Sequence, residues 1–157
     1  MEQGKSQPYR LLFLCTGNYY RSRFAEALFN VLARENSLEW VACSRGIATD
    51  SGIHNEGPIS IYALRGLEAR GISLGKSIRY PMQLEVEDLG GADLIVALKE
   101  KEHRKLLGER FPMWVERVEY WQVGDLNEAT AEEALAEIEK EVRGLIGHLS
   151  ARVGACE

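Results

Sequence analysis

Short apolar runs alternate along this chain with segments whose apolar residues recur at helical spacing. Tyr9 to Leu14 (YRLLFL) is nearly continuous in apolar residues, as expected of a strand covered on both faces. From Ser22 to Asn36 the residues Phe24, Leu28, Val31 and Leu32 return at helical spacing, so a helix follows directly. Leu38 to Cys43 (LEWVAC) reads as a second strand. After a polar, glycine-containing loop, Pro58 to Arg70 reads as a helix that Gly71 stops. Leu94 to Leu98 (LIVAL) is the clearest buried strand, and a charged helix runs on from Lys99 to Arg110. Val115 to Trp121 mixes valines and aromatics with Glu116, Arg117 and Glu119, which suits an edge strand. Thr130 and Glu133 form a capping box. The helix behind it carries Leu135, Ile138, Val142, Leu145, Ile146 and Leu149 on one stripe.

Strands alternating with helices imply βαβ units, a parallel sheet and right-handed crossovers. The expected fold is therefore α/β, a three-layer sandwich with about four parallel strands and helices on both faces. A length of 157 residues suits one domain, read as 9–157, with 1–8 a disordered tail. A hydrophobic fraction of 45% and a charged fraction of 27% are ordinary for a soluble globular protein. The net charge of −5 argues against a general nucleic-acid binder, which needs a basic face to neutralise phosphates. No stretch is apolar enough over its length to span a bilayer, and the polar start lacks a signal peptide's apolar run. Cys15, Cys43 and Cys156 are widely spaced and odd in number, so they form neither a disulfide framework nor a metal-ligand pair. A reducing compartment, the cytoplasm, is the simplest expectation, and no membrane partner is expected.

In open α/β sheets the ligand site lies beyond the carboxyl ends of the strands. The first such loop is Cys15-Thr16-Gly17-Asn18-Tyr19-Tyr20-Arg21-Ser22, which enters a helix. A loop of this length can curl its N–H groups inward around an anion, and the helix N-terminus adds partial positive charge there. Arg21 can hold two phosphate oxygens with its planar fork. Gly17 lets the backbone turn, and Asn18 tolerates a left-handed conformation. A cysteine beside an arginine and a helix N-terminus is held as the nucleophilic thiolate. Ser22 is placed to donate a further hydrogen bond to it. A lone cysteine at a strand end is more often a buried small hydrophobe. The full pattern of strand, C-x5-R-S and helix points instead to a nucleophile facing a bound phosphate.

The segment LLFLCTGNYYRSRFAEALF resembles the phosphate-binding loop and first helix of the low-molecular-weight protein tyrosine phosphatases, whose usual pattern is C-x-G-N-x-C-R-S-P. Ser44 to Gly46 (SRG), Gly91 to Leu98 with His103 after it, and Trp121 to Leu126 (WQVGDL) extend the likeness from about Arg10 to Leu149. It implies a four-stranded sheet of order 2-1-3-4 and a cysteine-dependent phosphatase working through a phosphocysteine intermediate. The implied catalytic residues are Cys15, Arg21 and Asp125, the last as general acid. Thr16, Gly17, Asn18, Tyr19, Tyr20, Arg21 and Ser22 are the implied phosphate-binding residues, with Ser44 supporting the loop through Asn18. The implied partner is a phosphorylated protein or small phosphomonoester. Neither a metal nor an organic cofactor is implied. Of the remaining histidines and cysteines, His54, His103 and His148 are expected mostly on the surface and Cys43 in the core.

The chain departs from the family pattern at four places. Tyr20 replaces the second loop cysteine, Arg23 the following proline, and Leu126 the proline after the acid. Asn127 and Glu128 stand where the family often carries an aromatic pair. Tyr19, with Ile53 or His54, can still wall an aromatic slot, so phosphotyrosine ranks above phosphoarginine, whose phosphatases carry a small residue at the position of Tyr19. Arg23 and Arg45 fall near the expected mouth and would favour acidic neighbours on the substrate. Two other functions compete. An arsenate reductase would need an external thiol, because residues 74–98 contain no cysteine. A non-catalytic phosphate-binding module would have no use for Cys15.

Overall fold

The computed structural model describes residues 7–52, 54–124 and 130–155. At its centre β1 (Tyr9–Cys15) pairs in parallel with β2 (Trp40–Gly46) on one side and β3 (Leu94–Ala97) on the other. A two-residue β4 (Glu119–Tyr120) completes a sheet of order β2-β1-β3-β4. The helices are α1 (Arg21–Glu35), α2 (Ile61–Glu68), α3 (Val86–Gly90), α4 (Glu100–Arg110) and α5 (Ala131–Ala155).

The apolar run of β1 is continuous because successive side chains point to opposite faces and both faces are covered. Leu11 and Phe13 enter a core with Phe24 and Phe29 of α1, Leu67 of α2 and Ile138 and Val142 of α5. Leu12 and Leu14 enter a second core with Ile47, Leu84, Leu89 of α3 and Leu107 of α4. The result is the three-layer α/β sandwich expected from the alternation of elements. It leaves the end of β1 deep between both layers, with Cys15 only 3% exposed. Thr130 and Glu133 form the reciprocal capping box ahead of α5, at 3.1 and 3.2 Å.

The second and fourth strands differ from the sequence reading. β2 begins at Trp40 rather than Leu38, because the turn after α1 uses Leu38, whose N–H reaches Ala33 O. It then continues through the polar Ser44 and Arg45, which find partners on opposite faces of the sheet. Residues 112–117 form a 3-10 turn rather than a strand. Pro112 at its start suits a helical turn, and the Arg117 guanidinium lies over the Trp114 ring. α2 starts at Ile61, with the Ser60 side chain as N-cap, and the short α3 was not anticipated. The tail assigned to 1–8 falls mostly on 1–6, outside the described residues, as does Cys156. Among the described residues no helix is long and apolar enough to cross a membrane.

Candidate active site

The loop between β1 and α1 is held by its own carbonyls. Ile47 N–H reaches Cys15 O and Ala48 N–H reaches Thr16 O, each at 2.9 Å. Asn18 O accepts from Arg23 (3.3 Å), Tyr19 O from the Ser60 N–H (2.9 Å) and Tyr20 O from Phe24 N–H (3.1 Å). In a trans peptide the N–H points opposite to its carbonyl. The N–H groups of Thr16, Gly17, Tyr19, Tyr20 and Arg21 are thereby turned away from the framework and into the loop, the arrangement that cradles an anion.

Gly46 makes this approach possible. A Cβ there would lie 2.6 Å from Thr49 Cγ2, 2.8 Å from Thr16 O and 3.0 Å from Asn18 N. Asn18 occupies the left-handed region at φ 54°. Its side chain is fully used: Nδ2 donates to Ser22 Oγ and Ser44 Oγ, both at 2.9 Å. Oδ1 accepts from Arg79 Nη1 (2.9 Å) and Met82 N–H (3.0 Å). The anticipated Asn18–Ser44 pair is thus formed, and Ser44 passes the chain on to Glu26. Ser22 Oγ accepts from Asn18 and lies 2.9 Å from Cys15 Sγ, within hydrogen-bond reach. The hydroxyl is thus placed to donate to the sulfur when Cys15 acts as a nucleophile.

Arg21 is buried, and a carboxylate holds its fork. Nη1 and Nη2 reach Glu102 Oε1 and Oε2 at 3.2 and 2.9 Å, and Nη1 also donates to Val123 O at 3.0 Å. Thr16 Oγ1 donates to the same Glu102 oxygen. His103 Nε2 lies 3.3 Å from it, an ion-pair distance without the geometry of a regular hydrogen bond. Burial opposes ionisation of Glu102. Contacts with His103, Arg21 and Thr16 and the Arg21 charge outweigh it and hold the carboxyl far below the ordinary carboxylate range.

Several side chains lie elsewhere than expected. Arg23 is buried, not at the rim, and Arg45 turns to the α3 side of the sheet, where its Nε lies 3.4 Å from Asp88. The expectation that the two arginines greet acidic substrates is therefore not met. Tyr19 is half-buried, its hydroxyl donating to Glu56 O, which lays it against the 54–60 segment. Tyr20 fills core space, and its hydroxyl reaches Ala131 O at 3.2 Å. His103 is fully buried rather than on the surface, with Nδ1 accepting the Lys99 N–H at 3.0 Å, whereas His54 and His148 are exposed. Cys43 is half-buried against the second core. Ile53, Asp125 and residues 126–129 lie outside the described residues. Glu102 and Arg79 escaped the sequence reading, one inside a highly charged helix and the other in a segment with no periodic pattern. Gly46 closes the SRG triplet that was singled out, and its close approach is the reason for a glycine there.

The profile of the family described as "Low molecular weight phosphotyrosine protein phosphatase" matches residues 10–155. The chain belongs to this family. It is a cysteine-dependent phosphatase of that family by membership and by the loop it carries. Among solved structures, YfkJ from Bacillus subtilis superposes with a TM-score of 0.80 at 25% identity, covering 95% of this chain and 99% of its own. A low molecular weight protein tyrosine phosphatase from T. tengcongensis gives a TM-score of 0.72 at 28% identity, covering 92% and 99%. A curated relative, the protein-arginine-phosphatase of Bacillus subtilis (strain 168), is 28% identical over 108 residues, 69% of this phosphatase and 67% of the relative.

Proposed function

We propose that this phosphatase hydrolyses phosphomonoesters through a phosphocysteine, with phosphotyrosine in a protein as its substrate class. One observation carries the reading: Cys15 Sγ lies 2.9 Å from Ser22 Oγ beneath a loop whose N–H groups turn inward. Cys15 attacks phosphorus, forming the S–P bond as the P–O bond to the leaving group breaks. Asp125 protonates that leaving oxygen. Water, deprotonated by the same carboxylate, then attacks the phosphocysteine and releases phosphate and the thiolate. Arg21 and the loop N–H groups bear the charge of the equatorial oxygens. Turnover of p-nitrophenyl phosphate between pH 5 and 8 tests this, with Cys15→Ser alongside. Turnover that disappears in the variant supports the mechanism, and none from the folded native protein refutes it.

The half-buried Tyr19, laid against the 54–60 segment, supports an aromatic slot and hence phosphotyrosine. A phosphoarginine substrate is the second reading, and the curated relative named above favours it. Comparing kcat/KM on matched phosphotyrosine and phosphoarginine peptides decides between them.

A further inference from the structure

Arg23 sits in the first turn of α1, two residues beyond Arg21, yet is only 6% exposed. A buried cation is costly unless its donors are satisfied. Here they go to main-chain carbonyls from three separate segments. Nη1 donates to Asn18 O (3.3 Å) and Pro58 O (2.9 Å), and Nη2 to Arg79 O (2.8 Å).

Each carbonyl belongs to a different side of the site. Asn18 is the left-handed residue of the phosphate loop. Pro58 lies two residues before Ser60, whose N–H holds Tyr19 O, and two after Glu56, which holds the Tyr19 hydroxyl. Arg79 sends its own side chain to Asn18 Oδ1 and Ser44 Oγ. We propose that Arg23 is a positioning residue for the phosphate loop, joining that loop to both neighbouring segments and so setting how closely its N–H groups converge on a bound phosphate. Its charge also acts behind the loop. Burial, then the Arg79 charge, lowers its pKa to about 10, while Glu26 and Cys15 pull it up, so it stays a cation at neutral pH. A planar fork can span three carbonyls where a point-like ammonium cannot.

The inference rests on the phosphatase reading and is tested through inorganic phosphate, which also binds without turnover. Arg23→Met keeps the aliphatic stem and removes the fork. The expected result is a roughly tenfold rise in the inhibition constant for phosphate, or in its dissociation constant by calorimetry, with a smaller change in kcat. A residue that only held the fold together would lower the melting temperature and leave phosphate affinity of the folded protein unchanged. A folded Arg23→Met protein within twofold of native phosphate affinity would overturn the proposal. If Arg23→Met does not fold, Arg23→Lys carries the test, and native affinity in that variant overturns it equally. Native protein that binds phosphate without hydrolysing p-nitrophenyl phosphate would sink the phosphatase reading but leave the role of Arg23 measurable.

Discussion

Arg21 Nη2 lies 2.9 Å from Glu102 Oε2, and Thr16 and His103 meet the same oxygen. The arginine that phosphate requires is therefore oriented by a carboxylate on α4, a different element from the one that carries the arginine.

This pairing has a pH signature. The folded state holds the Glu102 carboxyl far below its ordinary range, so its stabilisation is present above the unfolded value of about 4.3 and is lost as pH falls below it. Glu102→Gln removes that dependence. Thermal melts at pH 7, 5, 4 and 3 should show native and variant far apart at pH 7 and converging toward pH 3. Parallel curves would show that Glu102 ionisation is not linked to folding.

Gly46→Ala should separate loop geometry from the rest of the fold. The added methyl would sit 2.8 Å from Thr16 O and 2.6 Å from Thr49 Cγ2. Overpacking of this kind costs about 1–3 kcal/mol. Because two of the three crowded atoms, Thr16 O and Asn18 N, belong to the phosphate loop, a folded variant should lose at least about tenfold in kcat/KM. A melt shifted down with unchanged kinetics would mean that the loop absorbs the methyl elsewhere.

Asn18→Ala and Ser44→Ala should differ in size. Asn18 makes four side-chain hydrogen bonds and adopts φ 54°, so its replacement loses contacts and meets backbone strain. Ser44 passes the chain to Glu26, and Arg79 stays bound to Glu26 Oε1 when Ser44 is removed. We expect Asn18→Ala to reduce kcat by more than tenfold and Ser44→Ala by only a few-fold. Steady-state kinetics on p-nitrophenyl phosphate check the order.

Oxidation should inactivate the enzyme without a protective disulfide between the described cysteines, Cys15 and Cys43. Tyr20 fills the place of the family's second loop cysteine. Cys43 pairs with Leu12, three rungs from Cys15, or roughly 10 Å along the sheet at about 3.3 Å per residue. That separation exceeds the reach of a disulfide. Sustained peroxide should therefore take Cys15 to sulfinic acid, with activity that dithiothreitol does not restore. Full recovery under reductant would point to another protecting reaction.

What the sequence disclosed depended on how local each determinant was. The phosphate loop, the centre of β1 and the capping box of α5 are written in contiguous residues, and they appeared where expected. The end of β2 was hidden because Ser44 and Arg45 look like loop residues until Asn18 and Asp88 partner them across the fold. For the same reason the direction of Arg45 was misjudged: strand register decides which face it takes, and register is set by β1. Arg23 was placed at the rim because its three acceptors lie 5, 35 and 56 residues away. Glu102 and His103 sit in a helix so charged that neither could be distinguished from a solvated neighbour.

The bonds from Ile47 N–H to Cys15 O and from Ala48 N–H to Thr16 O tie the start of the phosphate loop to the turn just beyond β2. The catalytic loop is in that sense anchored at its base to the end of the sheet. The Ile47 and Ala48 amides that hold it should exchange with solvent as slowly as those in the middle of β2, opening only in the global unfolding event. Warming should then abolish catalysis together with the whole fold, with no earlier, reversible loss from a loop that frays on its own.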